Sequence, residues 1–392
     1  MADVTPFQAA PEKRRIPSLI KRTGAALLLA VFVFVPGAAV NQKASALHTE
    51  RAEENHAVAA LLETAAPAQT PVKFDSAVVE LTKADSQPQL DPIDYRIAPI
   101  KSKKPYTYAL FVKDVTQKMQ CYTGLVSYEV IGKSVQGREI YALTVGHGPI
   151  VVLVTAGVHA RENANTPMVM QCLFDFLYAA SAGDQRKTQV LDAVTFVVVP
   201  LVNPDGYYYC IKKKNGKKKT NAHNVDINRN FPCIYWGSSV KKPGNFYPGP
   251  NPGSEPETQA IMALFDRYDF ALAVDVHSRA RQIICQKGGY TPEDIKNNED
   301  PEKLNEMSKA LAQSLLEDIC YDRVDELNVK MGEEGTLTDY AFSQGVPTIT
   351  FETLKYKNNR LASPDEIKKE YALFNWPNAL CKIAEFAAST AR

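Results

Sequence analysis

Residues 150–155 read Ile-Val-Val-Leu-Val-Thr, and residues 194–199 read Val-Thr-Phe-Val-Val-Val. Neither run alternates apolar with polar residues, so neither suits a strand with one wet face. Such runs predict strands buried on both faces, the pattern of a sheet covered by helices. Helix-period segments are predicted at 166–180, 255–268, 301–320 and 364–388, with further strands at 270–276 and 348–351. Upstream, Tyr108, Phe111, Val112, Val115 and Met119 recur at helical spacing. Two alternating strands follow at 125–131 and 139–145, joined by a hairpin turn over 132–137. Strands alternating with helices give an α/β fold around a mostly parallel or mixed sheet. No linker-like gap interrupts residues 105–390, so we expect one catalytic domain there. Sites in such sheets lie beyond the carboxyl ends of the strands.

Residues 1–46 have a different character. Lys13, Arg14, Arg15, Lys21 and Arg22 precede an apolar run over 24–40, and Ala44-Ser45-Ala46 closes the stretch. This reads as a secretory signal peptide cleaved after Ala46. The rival is a retained membrane anchor, but the run is shorter than the roughly 20 residues that span a bilayer and contains Pro36 and Gly37. Either reading expects an exported protein: secreted, periplasmic or held at the cell envelope. Residues 47–104 are rich in Ala, Pro, Gln and charge and read as a flexible spacer, with a short helix near 51–64.

The formal net charge is +1, so no global field selects nucleic acid or an acidic partner. A local cluster, Lys212-Lys-Lys-Asn-Gly-Lys-Lys-Lys219, reads as a hairpin around Asn-Gly. It is either a solvated loop or an attraction to an anionic envelope surface. No nucleic-acid-binding signature accompanies it. Seven cysteines are present, without a CxxC pair, so a cysteine zinc site is not expected. Export permits disulfides, and buried thiols are the alternative.

The six histidines are unevenly placed. His159 follows the strand at 150–155, in Ala156-Gly-Val-His-Ala-Arg-Glu162, and His277 follows the strand at 270–276. Glu162 lies three residues after His159, near enough for both side chains to face one point. Two imidazoles and a carboxylate suit zinc and leave a fourth position for water. A third strand ends Pro-Thr-Ile-Thr-Phe-Glu352. A glutamate directly after a buried apolar strand is costly without a charged partner or a task, and a general base is such a task. Val225-Asp-Ile-Asn-Arg-Asn-Phe-Pro232, preceded by Asn203-Pro-Asp-Gly206, by itself only a good turn, adds Asn228 and Arg229, which together could fork onto a carboxylate, with a solvated arginine as the alternative.

Taken jointly, His159-Ala-Arg-Glu162, Asn203-Pro-Asp-Gly206, Asp226-Ile-Asn-Arg-Asn230, His277-Ser278 and Phe351-Glu352 resemble the zinc carboxypeptidases related to carboxypeptidase A, in order and at similar intervals, over roughly residues 106–388. The short link between Asn203 and Asp226 is more similar to the bacterial branch that cleaves γ-D-glutamyl links to diamino acids in peptidoglycan peptides. The resemblance implies a single α/β domain around a mixed, twisted sheet, with one Zn2+ per chain held by His159, Glu162 and His277. It implies Glu352 as general base and proton carrier, Asn228 and Arg229 on the substrate's terminal carboxylate, and Arg161 in the cleft. It implies peptide or muropeptide substrates, and we expect a monomer that touches a membrane only through an uncleaved leader.

There are departures from the family pattern. The arginine that usually stabilises the oxyanion upstream of Asp-x-Asn-Arg is missing, and His223 or Lys219 stands in the corresponding stretch. The mobile tyrosine of the carboxypeptidase A branch is absent from 330–335. Thr338 resembles the wall of the specificity pocket. An ordinary metallocarboxypeptidase and a non-catalytic peptide-binding protein remain as alternative readings. The retained Glu352 speaks against the binder.

Overall fold

A computed structural model describes residues 99–100, 102–234, 236, 244–287, 289–316, 324–328, 334–355 and 360–391. The leader, most of the spacer with its short helix, Cys320 and residues 329–333 lie outside the described residues.

The two β-branched runs are strands β3 (Ile150–Ala156) and β4 (Val194–Val199). They pair in parallel at the centre of an eight-stranded mixed sheet of order β1-β2-β4-β3-β5-β8-β6-β7. Strands β1 (Val126–Lys133) and β2 (Glu139–Val145) form the expected antiparallel hairpin at one edge. Strands β5 (Phe270–Ser278) and β8 (Thr348–Thr353) continue the parallel core, and β6 (Gln282–Lys287) and β7 (Val324–Asn328) extend it. Alternate residues of β3 point to opposite faces. Val152 and Val154 join one apolar cluster, while Leu153 joins another with Val197 and Val199. Both faces are therefore dry, as the unbroken hydrophobicity required.

Helices cover those faces. Helix α1 (Tyr108–Lys113) runs on through π-helical and 3-10 turns to Cys121. Helix α2 (Asn165–Ser181) is buried along most of its length, and α3 (Gln185–Ala193) is a short helix before β4. Then come α4 (Pro204–Lys213), α5 (Pro256–Phe265), α6 (Pro301–Leu316), α7 (Leu337–Ser343), α8 (Pro364–Ala372) and α9 (Trp376–Thr390). No helix among the described residues is long and apolar enough to cross a membrane.

Three local expectations are corrected. The single helix expected over 364–388 is two, α8 and α9. Asn375 caps α9 by accepting the Asn378 amide, and a proline stands in the first turn, so the chain restarts rather than continues. Asn203-Pro-Asp-Gly206 is not merely a turn. Asn203 accepts the Gly206 amide at 2.9 Å and starts α4 with Pro204 in its first turn. The lysine-rich stretch is then not a β-hairpin. Lys212 and Lys213 form the last turn of α4, and Lys214 closes it at φ 52°. Among the described residues, Cys121, Cys172, Cys210 and Cys381 are free thiols.

Candidate active site

The site forms where three parallel strands end. In the β5–β8 register His277 pairs with Glu352, so both side chains emerge on the same face at neighbouring positions. His159 and Glu162 come from the loop after β3. That loop leaves the strand through Gly157 at φ 66°, where a Cβ would lie 2.8 Å from Thr166 Oγ1 and 2.9 Å from Leu201 Cδ1. Only glycine fits that turn without displacing its neighbours. Asn165 then stitches the loop to the sheet. Its Nδ2 donates to the Val276 carbonyl at 3.2 Å and its Oδ1 accepts from Thr353 Oγ1 at 3.0 Å.

His159, Glu162 and His277 are buried and converge. Glu162 Oε1 is 2.8 Å from His159 Nδ1, and Glu162 Oε2 is 3.1 Å from His277 Nδ1. The two Nδ1 atoms are 3.1 Å apart. Opposite each imidazole's Nδ1 stands another carboxylate. His277 Nε2 is 2.6 Å from Asp275 Oδ2, and Asp275 Oδ1 accepts from Thr155 Oγ1 at 2.7 Å. His159 Nε2 lies 3.2 Å from Asp226 Oδ1, in ion-pair range but outside hydrogen-bond geometry. A carboxylate on Nε2 fixes the proton there and leaves Nδ1 as a lone pair.

Two imidazole lone pairs and a carboxylate at such distances repel one another without a cation between them. Tetrahedral zinc with bonds of about 2.0–2.1 Å sets its ligands roughly 3.3 Å apart, close to the separations found. Charge points the same way. Glu162, Asp226 and Asp275 are all buried, with Lys219 the buried cation beside them. Burial alone would raise the Glu162 and Asp226 carboxyls. The imidazoles overturn that for Glu162, and Lys219 and His159 do so for Asp226, holding both well below the usual range. Burial would lower His277, but Asp275 and Glu162 push it well above the usual imidazole value. The pocket favours positive charge, and the donor set fits a divalent metal.

Glu352 faces this cluster with Oε2 buried and without a hydrogen-bond partner. Burial and the neighbouring Glu162 push its carboxyl up to about 7, against the pull of His277 and Lys219. A poorly solvated carboxylate of this kind is suited to take and return a proton.

A family model for the zinc carboxypeptidases, peptidase family M14, matches residues 112–377, well over half of the chain. The chain belongs to the zinc carboxypeptidase family. It is similar to mouse carboxypeptidase M, 30% identical over 43% of this chain and 37% of that protein. Mouse carboxypeptidase A4 is 28% identical over 58% of this chain and 57% of its own length. The chain thus spans between about a third and three fifths of these curated relatives. Among solved structures, thrombin-activatable fibrinolysis inhibitor superposes with a TM-score of 0.59 at 21% identity, covering 76% of this chain and 79% of the other. Carboxypeptidase A from Helicoverpa armigera gives 0.56 at 22% identity, covering 74% and 75%. These likenesses establish the shared carboxypeptidase fold.

Around the zinc carboxypeptidase centre, the other expected residues differ in placement. Asn228 and Arg229 lie in a 3-10 turn capped by Asp226. Asn228 Oδ1 accepts the Leu337 amide at 2.8 Å, which fixes its orientation. Its Nδ2 is 3.3 Å from His277 Nε2, whose proton is directed at Asp275, so that imidazole does not accept the amide hydrogens. Arg229 donates to the Asn228 carbonyl at 2.6 Å, and its guanidinium lies 6.0 Å from the centre of the exposed Phe246 ring. Arg161 is half-buried with Nε lacking a partner. Lys219 and His223 separate clearly. Lys219 is buried, with Nζ 3.1 Å from Asp226 Oδ2 and 4.7 Å from the centre of the Phe246 ring. His223 is largely exposed and pairs with Glu255 at 2.8 Å, on the support of the loop.

Sequence reasoning did not single out Asp275, Asp226 and Asn165 as supports of the site. Asp275 carried a signal. Two residues before His277 on an apolar strand, it had to share that histidine's face and be buried with it.

Proposed function

We propose that this chain is a zinc-dependent metallocarboxypeptidase that removes residues at a free carboxyl terminus, acting on cell-wall stem peptides. The observation that carries the hydrolase reading is the convergence of His159 Nδ1, Glu162 and His277 Nδ1 beside the unpaired Oε2 of Glu352. In this reading the first three hold zinc. A zinc ion held there would supply Lewis-acid polarisation of the scissile carbonyl and a water of lowered pKa, toward about 7. Glu352 takes the proton from the attacking water and passes it to the leaving amine. Arg229 grips the terminal carboxylate through its planar fork, and Asn228 offers Nδ2 beside it. Lys219 supplies the positive charge that the missing arginine would have given to the developing oxyanion. Its burial beside Asp226, against the outward placement of His223, supports that choice.

The substrate class rests on the short link from Asn203 to Asp226, which resembles the branch acting on peptidoglycan peptides. That link here forms α4 and the turn that delivers Lys219. Its test is mass spectrometry of products from a defined muropeptide and from a library of ordinary peptides, each with and without chelator. Chelator-sensitive release of the diamino acid from the muropeptide is expected. Cleavage confined to ordinary carboxyl-terminal residues would overturn the cell-wall assignment and leave the peptidase.

A further inference from the structure

We infer that the face formed by the end of α4 and the turn after it is a second binding site, for a carboxylate-bearing glycan. Consecutive lysines divide there. Lys219 turns inward to Asp226, while Lys218 turns outward into a groove of about 760 Å³. That volume is within the roughly 300–1,000 Å³ of ligand clefts. The groove is lined by Gln136, Tyr209, Asn215, Lys217, Thr220 and Asn245, among others. The buried Gly206, against Ala160 of the His159 loop, lies at its inner side. The site is thus adjacent to the metal centre but separated from it by the 217–220 segment.

Charge and chemistry select the ligand. Lys212 and Lys213 complement the carbonyl end of α4, an ordinary role. Lys217 and Lys218 lie beyond the helix, and among the described residues neither pairs with a carboxylate. Lys218 Nζ donates instead to Thr220 Oγ1 at 2.9 Å and Asn224 Oδ1 at 2.7 Å. Among the described residues the one lining carboxylate, Asp205, is consumed by Ser134, the Gln136 amide and Arg138. The remaining cations call for an anion. Side-chain amides and hydroxyls, which both donate and accept, match sugar hydroxyls. Tyr209 is 42% exposed, with Lys218 Nζ 5.8 Å from its ring centre, and its outer ring surface remains for stacking.

The test uses the full chain and a polyuronate oligosaccharide, titrated by calorimetry at low and at physiological salt. A neutral oligosaccharide of equal length, poly-glutamate, anionic phospholipid vesicles and a single-stranded oligonucleotide are run beside it. Saturable polyuronate binding is expected to exceed every other probe and to weaken with salt. Lys217→Glu should reduce it about tenfold and Tyr209→Ala severalfold, the scale of one lost charge or stacking contact. Both variants should keep small-peptide hydrolysis, since neither residue serves the metal centre. Absence of polyuronate binding, indifference to Lys217→Glu, or equal or tighter binding of any other probe would each overturn the proposal. None of these outcomes depends on which peptide the metal centre cleaves.

Discussion

Burial and Glu162 raise the Glu352 carboxyl, and His277 and Lys219 oppose them. Glu352 works as a base only when deprotonated, so activity falls as pH drops through its pKa. Lys219 is one of the charges that lowers that pKa. Lys219→Met should therefore move the acid limb of kcat/KM to higher pH and reduce the plateau by about a hundredfold, the scale of one lost oxyanion donor. Lys219→Arg should recover most of both. An unshifted acid limb in the methionine variant would remove Lys219 from the site. Glu352→Gln keeps shape and loses the base. Turnover should fall by at least about a thousandfold, while a competitive inhibitor carrying a terminal carboxylate still binds in calorimetry. Binding lost along with turnover would mean that Glu352 holds substrate.

Strand β5 shows how an element builds a site. Asp275 and His277 alternate onto one face, Asp275 pairs with Thr155 of β3, and His277 pairs with Glu352 of β8. Asp275→Asn would leave the fold and loosen the hold on the His277 tautomer. Metal affinity in a chelator competition should fall about 10–100-fold, with little change in the circular dichroism spectrum. Helix α9 carries a stability prediction instead. Asn375→Ala removes the side chain that caps it and should cost about 1 kcal/mol in denaturant melts. Such elements were unevenly legible in the sequence. The runs over 150–155 and 194–199 announced buried strands because each is short, unbroken and rich in β-branched residues. The candidate ligands were legible because His159 and Glu162 follow the first of those runs and His277 follows the apolar strand at 270–276. The break between α8 and α9 was not seen, because apolar spacing continues across Leu373–Asn375 and only Asn375 and Pro377 mark the restart. The lysine stretch misled because Asn215-Gly216 is a hairpin signal that α4, started by Asn203 and Pro204, overrides.

At the scale of the molecule, the buried carboxylates Glu162, Asp226 and Asp275 gather where the sheet's strands end beside Lys219, and a bound divalent cation would add to the balance of their charge. Metal removal should therefore cost stability as well as activity. Binding at about a thousandfold above its dissociation constant contributes about 4 kcal/mol, worth roughly 8–16 °C in melting temperature for a domain of this size. Chelator should lower the melting temperature of the wild-type chain by that order and leave His277→Ala, already without the site, unmoved. The most direct measurement is an anomalous difference map collected at the zinc absorption edge from crystals of the full chain. One peak equidistant from His159 Nδ1, a Glu162 carboxylate oxygen and His277 Nδ1, at about 2.1 Å from each, is the expected result. A peak anywhere else, or none in protein purified without chelator, would contradict the account.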